Sequence, residues 1–360
     1  MFILKNYFKN KKVIVTGHTG FKGSWLVTWL VFLGAKVTGI SNGYTSTPSH
    51  YKFLKLKNVD DKKIDIRNGD LVKKIFKKNQ PDFVFHLAAQ SIVMKSFQQP
   101  LNTWSTNTIG TINILEALRV INKKCIAVII TSDKAYKNLE IKRGYNENDR
   151  LGGGDPYSAS KASADIAIKS YIDSFFGHKN NKVFIAIARA GNVVGGGDWS
   201  ANRLIPDCIR SWKKKNKVII KSPYSTRPWQ HVLEVVHGYI LLAINLYKNK
   251  TLHGEAFNFG PPNNQNYNVI TLVNLIKFYW KNFSWQVSKR NKVIHKESKL
   301  LKLNSNKAYK RLGWKSVLKF KETIFFVSFW YKSFYENKKQ TYKITIDQIK
   351  KYQNIVNKRF

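Results

Sequence analysis

Between residues 12 and 190 the chain alternates two hydrophobic periods. Short β-branched runs at Lys12–Thr16, Lys36–Ile40, Phe83–Ala88, Ile126–Thr131 and Val183–Arg189 read as strands buried on both faces. Longer segments with helical spacing separate them, at Gly23–Gly34, Asn102–Ile121 and Pro156–Phe176. Such alternation implies right-handed crossovers and an α/β fold with a Rossmann-like, doubly wound parallel sheet. From about Asp198 the pattern loosens, with helices expected at Val232–Tyr247, Thr271–Trp280 and Glu322–Tyr335. The expected organisation is a Rossmann-like domain over 9–198 that also carries the catalytic residues, a smaller mixed α/β substrate lobe over 199–340 with some chain exchange, and a basic tail over 341–360.

The first strand runs into Thr16-Gly17-His18-Thr19-Gly20-Phe21-Lys22-Gly23, a G-x-x-G-x-x-G turn that opens the first helix. Glycines there allow a tight turn and close approach of backbone to a pyrophosphate, which the helix N–H groups face. Gly17, Thr19, Gly20, Phe21, Lys22 and Gly23 are therefore expected to hold a dinucleotide. An acid near the end of the second strand would select NAD through the ribose 2′-hydroxyl. The strand ends instead in Ser41-Asn42-Gly43, with neither acid nor Arg, so NAD is expected and NADP stays open. Asp65 and Ile66 follow a third strand expected between Lys36–Ile40 and Phe83–Ala88, where a carboxylate can accept from an adenine amino group.

Tyr157 and Lys161 lie four apart in the first turns of a helix, on one face. A neighbouring ammonium favours the phenolate and makes the tyrosine a usable general base for a sugar or alcohol hydroxyl. The spacing alone is weak, since Tyr7/Lys11, Tyr51/Lys55 and Tyr335/Lys339 share it. Order singles out Tyr157/Lys161, because it follows a strand ending in Ser132-Asp133-Lys134, at the sheet edge where doubly wound folds bind ligands.

With these features, the run Gly17 to Trp25, His86-Leu87-Ala88-Ala89-Gln90, Ile130 to Lys134, Arg189 to Trp199, Arg203 to Asp207 and Arg227 to Glu234 together resemble the nucleotide-sugar 4,6-dehydratases of the extended short-chain dehydrogenase/reductase family. The resemblance runs in register from about residue 9 to 335, and Ser-Asp-Lys is its most specific element, where many relatives look like Thr-Asp-Glu. It implies a hydro-lyase that takes CDP-glucose or a similar nucleotide sugar and returns a 4-keto-6-deoxy sugar for surface polysaccharide such as O-antigen. Tyr157, tuned by Lys161, would take the 4-hydroxyl proton, Ser132 would bond the 4-oxygen, Lys134 would remove the C5 proton, and protonated Asp133 would donate to the departing 6-hydroxyl. Leu87, Ala88, Ala89 and Asn107 would place the cofactor. Gln90, Asn192, Arg203, Arg227 and His231 would bind the substrate, Arg being suited to bidentate phosphate contact. His86 reads as a satisfied core residue. The resemblance further implies a homodimer, or a homotetramer, built on the helices at Asn102–Ile121 and Pro156–Phe176. A 4-epimerase, or a dehydratase of a dTDP-, UDP- or GDP-linked sugar, is the alternative, although an epimerase needs no Ser-Asp-Lys acid and base.

Charge changes the picture least. The 360 residues carry 62 basic and 21 acidic side chains, a net +41, which first suggests a nucleic-acid partner on a non-catalytic scaffold. Lys outnumbers Arg by 51 to 11, whereas specific readers of nucleic acid lean on Arg. Pro81 to Arg210, which spans the catalytic motifs, holds 16 basic and 11 acidic residues, only +5 net. The surplus reads as a solvated coat, and no nucleic acid is expected. Two cysteines make no disulfide framework, and no Cys/His spacing suggests a metal. The most apolar run, Trp25 to Leu33, is too short for a bilayer, so no membrane insertion and a cytoplasmic location are expected.

Overall fold

The computed structural model describes residues 2–262, 265, 267–280, 283–288 and 300–359. Seven parallel strands form its centre: β1 Lys12–Thr16, β2 Lys36–Ser41, β3 Val59–Lys63, β4 Phe83–His86, β5 Cys125–Ile130, β6 Val183–Ala190 and β7 Ala256–Phe259, in spatial order β7-β6-β5-β4-β1-β2-β3. Burial on both faces explains the apolar composition of β1, β4, β5 and β6, whereas the edge strand β3 is Val-Asp-Asp-Lys-Lys and largely exposed. Val13, Val15, Phe83, Phe85, Ile126 and Val128 face one core, while Ile14, Val84, Ala127 and Ile129 face the other. The α/β reading, a Rossmann-like doubly wound sheet, is thus borne out. Because β1 pairs with both β2 and β4, the strand order reverses there, and Thr16 lies opposite Ile40 on one side and His86 on the other. The crevice beyond their carboxyl ends is the place where this topology accepts a ligand.

Helices α1 Phe21–Phe32, α2 Gly69–Asn79, α3 Gly110–Leu118 and α4 Pro156–Tyr171 cover the first part of the sheet. Beyond it come α5 Leu204–Lys213, α6 Val232–Lys248, α7 Phe320–Glu336 and α8 Thr341–Arg359. Helix α6 is apolar nearly all round and packs directly on β5 and β6, so a late segment of chain contributes to the core of the sheet. Three two-stranded ribbons join the late segments: 193–194 with 230–231, 226–227 with 267–268, and 218–220 with 285–287.

Two elements differ from the sequence pattern. The helix expected over Asn102–Ile121 is interrupted by one wide, π-type turn at Ser105–Ile109, which carries Asn107 inward. The segment read as a basic tail is instead a 19-residue helix, α8, with Thr341, Thr345, Ile349 and Tyr352 fully buried. Among the described residues no helix is long and apolar enough to cross a membrane, and no cluster of three metal-ligating side chains occurs.

Candidate active site

The turn after β1 is built by contacts that exclude side chains. Gly17 has φ +71°, and a Cβ on it would lie 2.7 Å from the backbone nitrogen of Ala88. A Cβ on Gly23 would lie 2.1 Å from the Gly17 carbonyl oxygen. Helix α1 therefore starts pressed against the turn, and its N-cap, Gly20, offers no side-chain acceptor to the first amides. The Thr16 hydroxyl meets His86 Nδ1 at 2.6 Å and accepts from the Ala88 N–H at 3.2 Å, fixing the β4 end beside the turn. His86 Nε2 lies 3.1 Å from the Thr111 hydroxyl, and burial pushes its pKa down to about 3, so His86 is a neutral, fully bonded core residue. Thr19 bonds Ser41 Oγ at 2.7 Å and the Gly43 carbonyl at 2.6 Å, joining the turn to the end of β2. An extended anion thus meets a glycine-lined cradle whose helix amides have no competing cap, and these residues fit the diphosphate of a dinucleotide.

Two features of this half were missed in the sequence. His18 is buried, its Nε2 is 2.8 Å from Asp61 Oδ1, and its ring occupies the space where a Cβ at Gly39 would stand. Burial lowers its pKa against the pull of Asp61. Asp65, expected to meet adenine, already accepts from Arg67 Nη2 at 2.7 Å, Nε at 3.0 Å and the Arg67 N–H at 2.9 Å, with Asn42 Nδ2 at 3.3 Å. The Arg67 hydrogen bond holds its carboxyl below the usual range, and Asp65 forms an Asn42–Asp65–Arg67 cluster beyond the ends of β2 and β3. Ile66 is buried against Gly110.

The wide turn at 105–109 explains Asn107. Its side chain accepts from the Gln90 N–H at 2.8 Å and donates to the Gln90 carbonyl at 3.1 Å and to Ser160 Oγ at 3.0 Å. It so ties the loop from Leu87 to Gln90 to the helix of the Tyr/Lys pair. Gln90 itself donates to Thr103 Oγ1 and the Ile92 carbonyl and accepts from the Ile92 N–H, which turns its amide into its own loop.

Helix α4 begins where Asp155 caps it, accepting from the Ser158 N–H at 3.0 Å, with Pro156 in the first turn. That start places Tyr157 and Lys161 against the end of β5, both buried. Ser132 caps the short turn Asp133–Ala135, and its hydroxyl donates to Asp133 Oδ1 at 3.0 Å. Lys22 from the glycine turn, Asp133 from β5, Tyr157 and Lys161 from α4, and Arg203 at the N-cap of α5 act electrostatically on one another. Burial dominates their titration. It raises the Asp133 carboxyl pKa against Lys134, Ser132 and Lys22, and so favours the protonated acid. It lowers Lys22 to about 8, helped by Arg203, and Lys161 to about 7, helped by Lys22 and opposed by Asp165. Tyr157 departs from the sequence expectation. Its pKa is raised, because burial outweighs the pull of Ser132 and Arg203, while the Lys161 ammonium is turned to the Ile130 carbonyl at 3.3 Å. Lys134 is half-buried beside Asp133, and its N–H donates to Ser132 Oγ at 3.2 Å.

The expected substrate ligands divide. Arg203 is paired with Asp198 at 3.1 Å and keeps about a third of its side chain exposed toward the cleft charges. Asn192 is half-buried, and its carbonyl accepts from the Gln230 N–H at 3.3 Å, so its segment runs beside the one that carries Arg227. Arg227 sits on the ribbon with Tyr267–Asn268 and donates to the Thr226 carbonyl at 2.8 Å. His231 is fully buried between Trp25 and Phe326, and its Nδ1 accepts from the Leu233 N–H to cap α6, while its Nε2 finds no hydrogen-bond partner among the described residues.

A family model described as GDP-mannose 4,6 dehydratase matches residues 14–325. CDP-glucose 4,6-dehydratase of Salmonella typhimurium is 41% identical over 334 residues, 91% of this chain and 92% of that protein. Among solved structures, an epimerase of Methanothermobacter thermautotrophicus superposes with TM-score 0.82 at 24% identity, covering 94% of this chain and 97% of the other. The dTDP-glucose 4,6-dehydratase of Bacillus anthracis, solved in complex with NAD, gives 0.71 at 21% identity, covering 92% and 99%. The chain belongs to the nucleotide-sugar 4,6-dehydratase family, a branch of the extended short-chain dehydrogenases/reductases whose members are hydro-lyases.

Lys161 gives the site a measurable pH signature. Free lysine holds its proton to about 10.5, the folded chain only to about 7. Between those values the unfolded chain binds a proton that the folded chain does not, so stability contributed through this group rises with pH over that window. Raising the pH from 7 to 9 is expected to favour the wild type over Lys161→Met by up to ~2 kcal/mol in urea unfolding. A difference that does not change with pH refutes the assignment.

Proposed function

We propose that this chain is an NAD-dependent CDP-glucose 4,6-dehydratase that forms CDP-4-dehydro-6-deoxyglucose and water for deoxysugar synthesis. The observation that carries the reading is Asp133, a buried carboxyl with a raised pKa, placed beside Tyr157 and Lys134 at the carboxyl end of β5. A sugar oxidised at C4 and reduced at C6 must lose a C5 proton and a 6-hydroxyl between those steps, so it needs an acid as well as two bases. The 41% identity to a CDP-glucose enzyme favours cytidine as the base.

In this reading NAD, when bound, supplies a reversible hydride acceptor between C4 and C6. Gly17, Thr19, Gly20, Phe21, Lys22 and Gly23 hold its diphosphate, and Asp65, Ile66, Leu87, Ala88, Ala89 and Asn107 line or support its path. Tyr157 takes the proton of the sugar 4-hydroxyl, Ser132 bonds the 4-oxygen, and Lys161 supplies the neighbouring ammonium. The 4-ketone acidifies C5, whose proton goes to Lys134, and Asp133 gives its proton to the departing 6-hydroxyl. Arg203 and Arg227, with Asn192, receive the substrate's diphosphate and nucleoside. The buried, unpaired Cys125 and Cys208 fit a cytoplasmic setting.

Purified protein is expected to turn CDP-glucose into a 4-keto sugar, read by its alkali-induced absorbance, with UDP-, dTDP- and GDP-linked sugars as comparisons. Product from one of those alone sinks the cytidine assignment, and product from none sinks the dehydratase reading. Tyr157→Phe should lower kcat by about 10²–10⁴-fold while NAD binding, measured by calorimetry, persists. Unchanged turnover removes Tyr157 from its role.

The same reading includes a homodimer or a homotetramer. Leu101 (81% exposed), Ile166 (60%) and Ile109 (50%) stand out from the helices at 100–118 and 156–171, with Trp104 and Phe175 nearby. An apolar face of this kind on adjoining helices suits a self-complementary, two-fold contact. Light scattering should report a dimer or tetramer that Ile166→Glu shifts toward monomer. A wild type that is monomeric at micromolar concentration refutes it.

A further inference from the structure

Helix α8 lies beyond residue 325, where the family match ends, yet it reaches the dinucleotide turn through a chain of buried groups. It packs against α1 and against the short helix His50–Leu54. The hydroxyl of Thr345, fully buried, lies 3.1 Å from His50 Nε2, accepts from Trp330 Nε1 at 3.2 Å, and stands 2.8 Å from the Thr341 carbonyl. On the other side of the ring, His50 Nδ1 lies 2.8 Å from Ser24 Oγ. Ser24 directly follows Gly23, and its hydroxyl lies 2.8 Å from the carbonyl of Phe21, the first residue of α1. Burial pushes His50 down to about 3, so the ring is neutral and carries one N–H. It donates to one of the two hydroxyls, each of which donates its own proton to a backbone carbonyl, and it accepts from the other only when that hydroxyl turns its proton from the carbonyl to the ring.

The same assembly seats the glycine loop after β6. A Cβ on Gly197 would lie 2.6 Å from the His50 ring, and one on Gly196 2.1 Å from that of Trp330. Trp25 Nε1 donates to the Gly196 carbonyl at 2.9 Å, and a Cβ on Gly195 would lie 3.1 Å from the Phe21 ring. Thus one end of the relay grips the first turn of α1 and the other the helix at 341–359, with the loop 195–197 packed between.

We propose that His50 and Thr345 are positioning residues for the dinucleotide site, through which α8 sets the angle and depth of the first turn of α1 against Gly17. This rests on the reading of Thr16–Gly23 as the NAD turn. The far half of α8 is anchored separately, where Tyr352 donates to Glu234 Oε2 at 2.8 Å, and Glu234 Oε1 accepts from the N–H groups of Val317 and Leu318. That second anchor supplies the control.

The test is calorimetric titration of the purified full chain with NAD, alongside thermal unfolding. Thr345→Val is expected to weaken NAD binding about five-fold, the scale of one hydrogen bond. Thr345→Ser should restore it to within about two-fold, and Ser24→Ala should weaken it as Thr345→Val does. Tyr352→Phe, which loosens the same helix at its other anchor, should lower Tm and leave Kd unchanged. The proposal is overturned if Thr345→Val lowers Tm alone, if Ser24→Ala leaves Kd unchanged, or if Tyr352→Phe weakens NAD as much as Thr345→Val does. Should Thr345→Val fail to fold, Ser24→Ala decides. A wild type that binds no NAD removes the underlying reading of the turn, and this proposal with it.

Discussion

The Gly17 carbonyl oxygen stands where a β-carbon at Gly23 would be, and the backbone of Ala88 stands where one at Gly17 would be. These two contacts bring three pieces of chain, the β1 turn, the start of α1 and the end of β4, closer than any side chain allows. Everything else at the sheet edge is arranged around that approach. Thr16 and His86 lock β4 to β1 beneath it, and Asn107 carries the constraint on to α4 through Gln90 and Ser160. The Tyr/Lys pair therefore has a fixed address relative to the turn, although more than 130 residues separate them.

Electrostatics in the cleft follow from burial more than from pairing. Lys22, Lys134, Lys161 and Arg203 gather around the Asp133 carboxyl and the Tyr157 phenol. Removal from water disfavours every charged form, so Lys161 drifts down while Asp133 and Tyr157 drift up. The one strongly paired set lies just behind. Arg189 and Asp165, nearly inaccessible, bond at 2.8 Å, and Arg189 also donates to Tyr136 and to the Glu147 carbonyl. Asp165 is one helical turn from Lys161 and opposes the fall of its pKa, but its charge is largely spent on Arg189. Lys161, Asp133 and Tyr157 thus sit in front of a neutralised wall.

Much of this was legible in the sequence, for physical reasons. Strands buried on both faces must be apolar throughout, and glycines at a backbone contact cannot be replaced, so β1, β2, β4, β5, β6 and the turn announce themselves, whereas β3, an exposed Val-Asp-Asp-Lys-Lys edge, and the four-residue β7 do not. The wide turn at 105–109 left no mark, because a single extra residue per turn does not disturb an apolar pattern. Helix α8 was hidden for the opposite reason. Its buried face includes Thr341, Thr345, Gln348 and Gln353, and its lysines face water, so no apolar stripe stands out. Gln348 is held by donating to the Phe326 carbonyl at 2.7 Å, a partner that no local spacing reveals. The cap that His231 makes on α6 was equally hidden, because a motif fixes a residue's neighbours in sequence, whereas capping and burial decide which way its ring points.

The His50–Thr345 contact joins residues 295 positions apart. A chain made from its amino end completes the glycine turn, all seven strands and the Tyr/Lys helix before residue 345 exists. During that interval the first turn of α1 has Ser24 and His50 in place but no hydroxyl on the far side of the imidazole. Closing so long a loop is entropically costly and slow compared with forming the local elements. The contact between α8 and His50 is therefore among the last that a chain made from its amino end can complete.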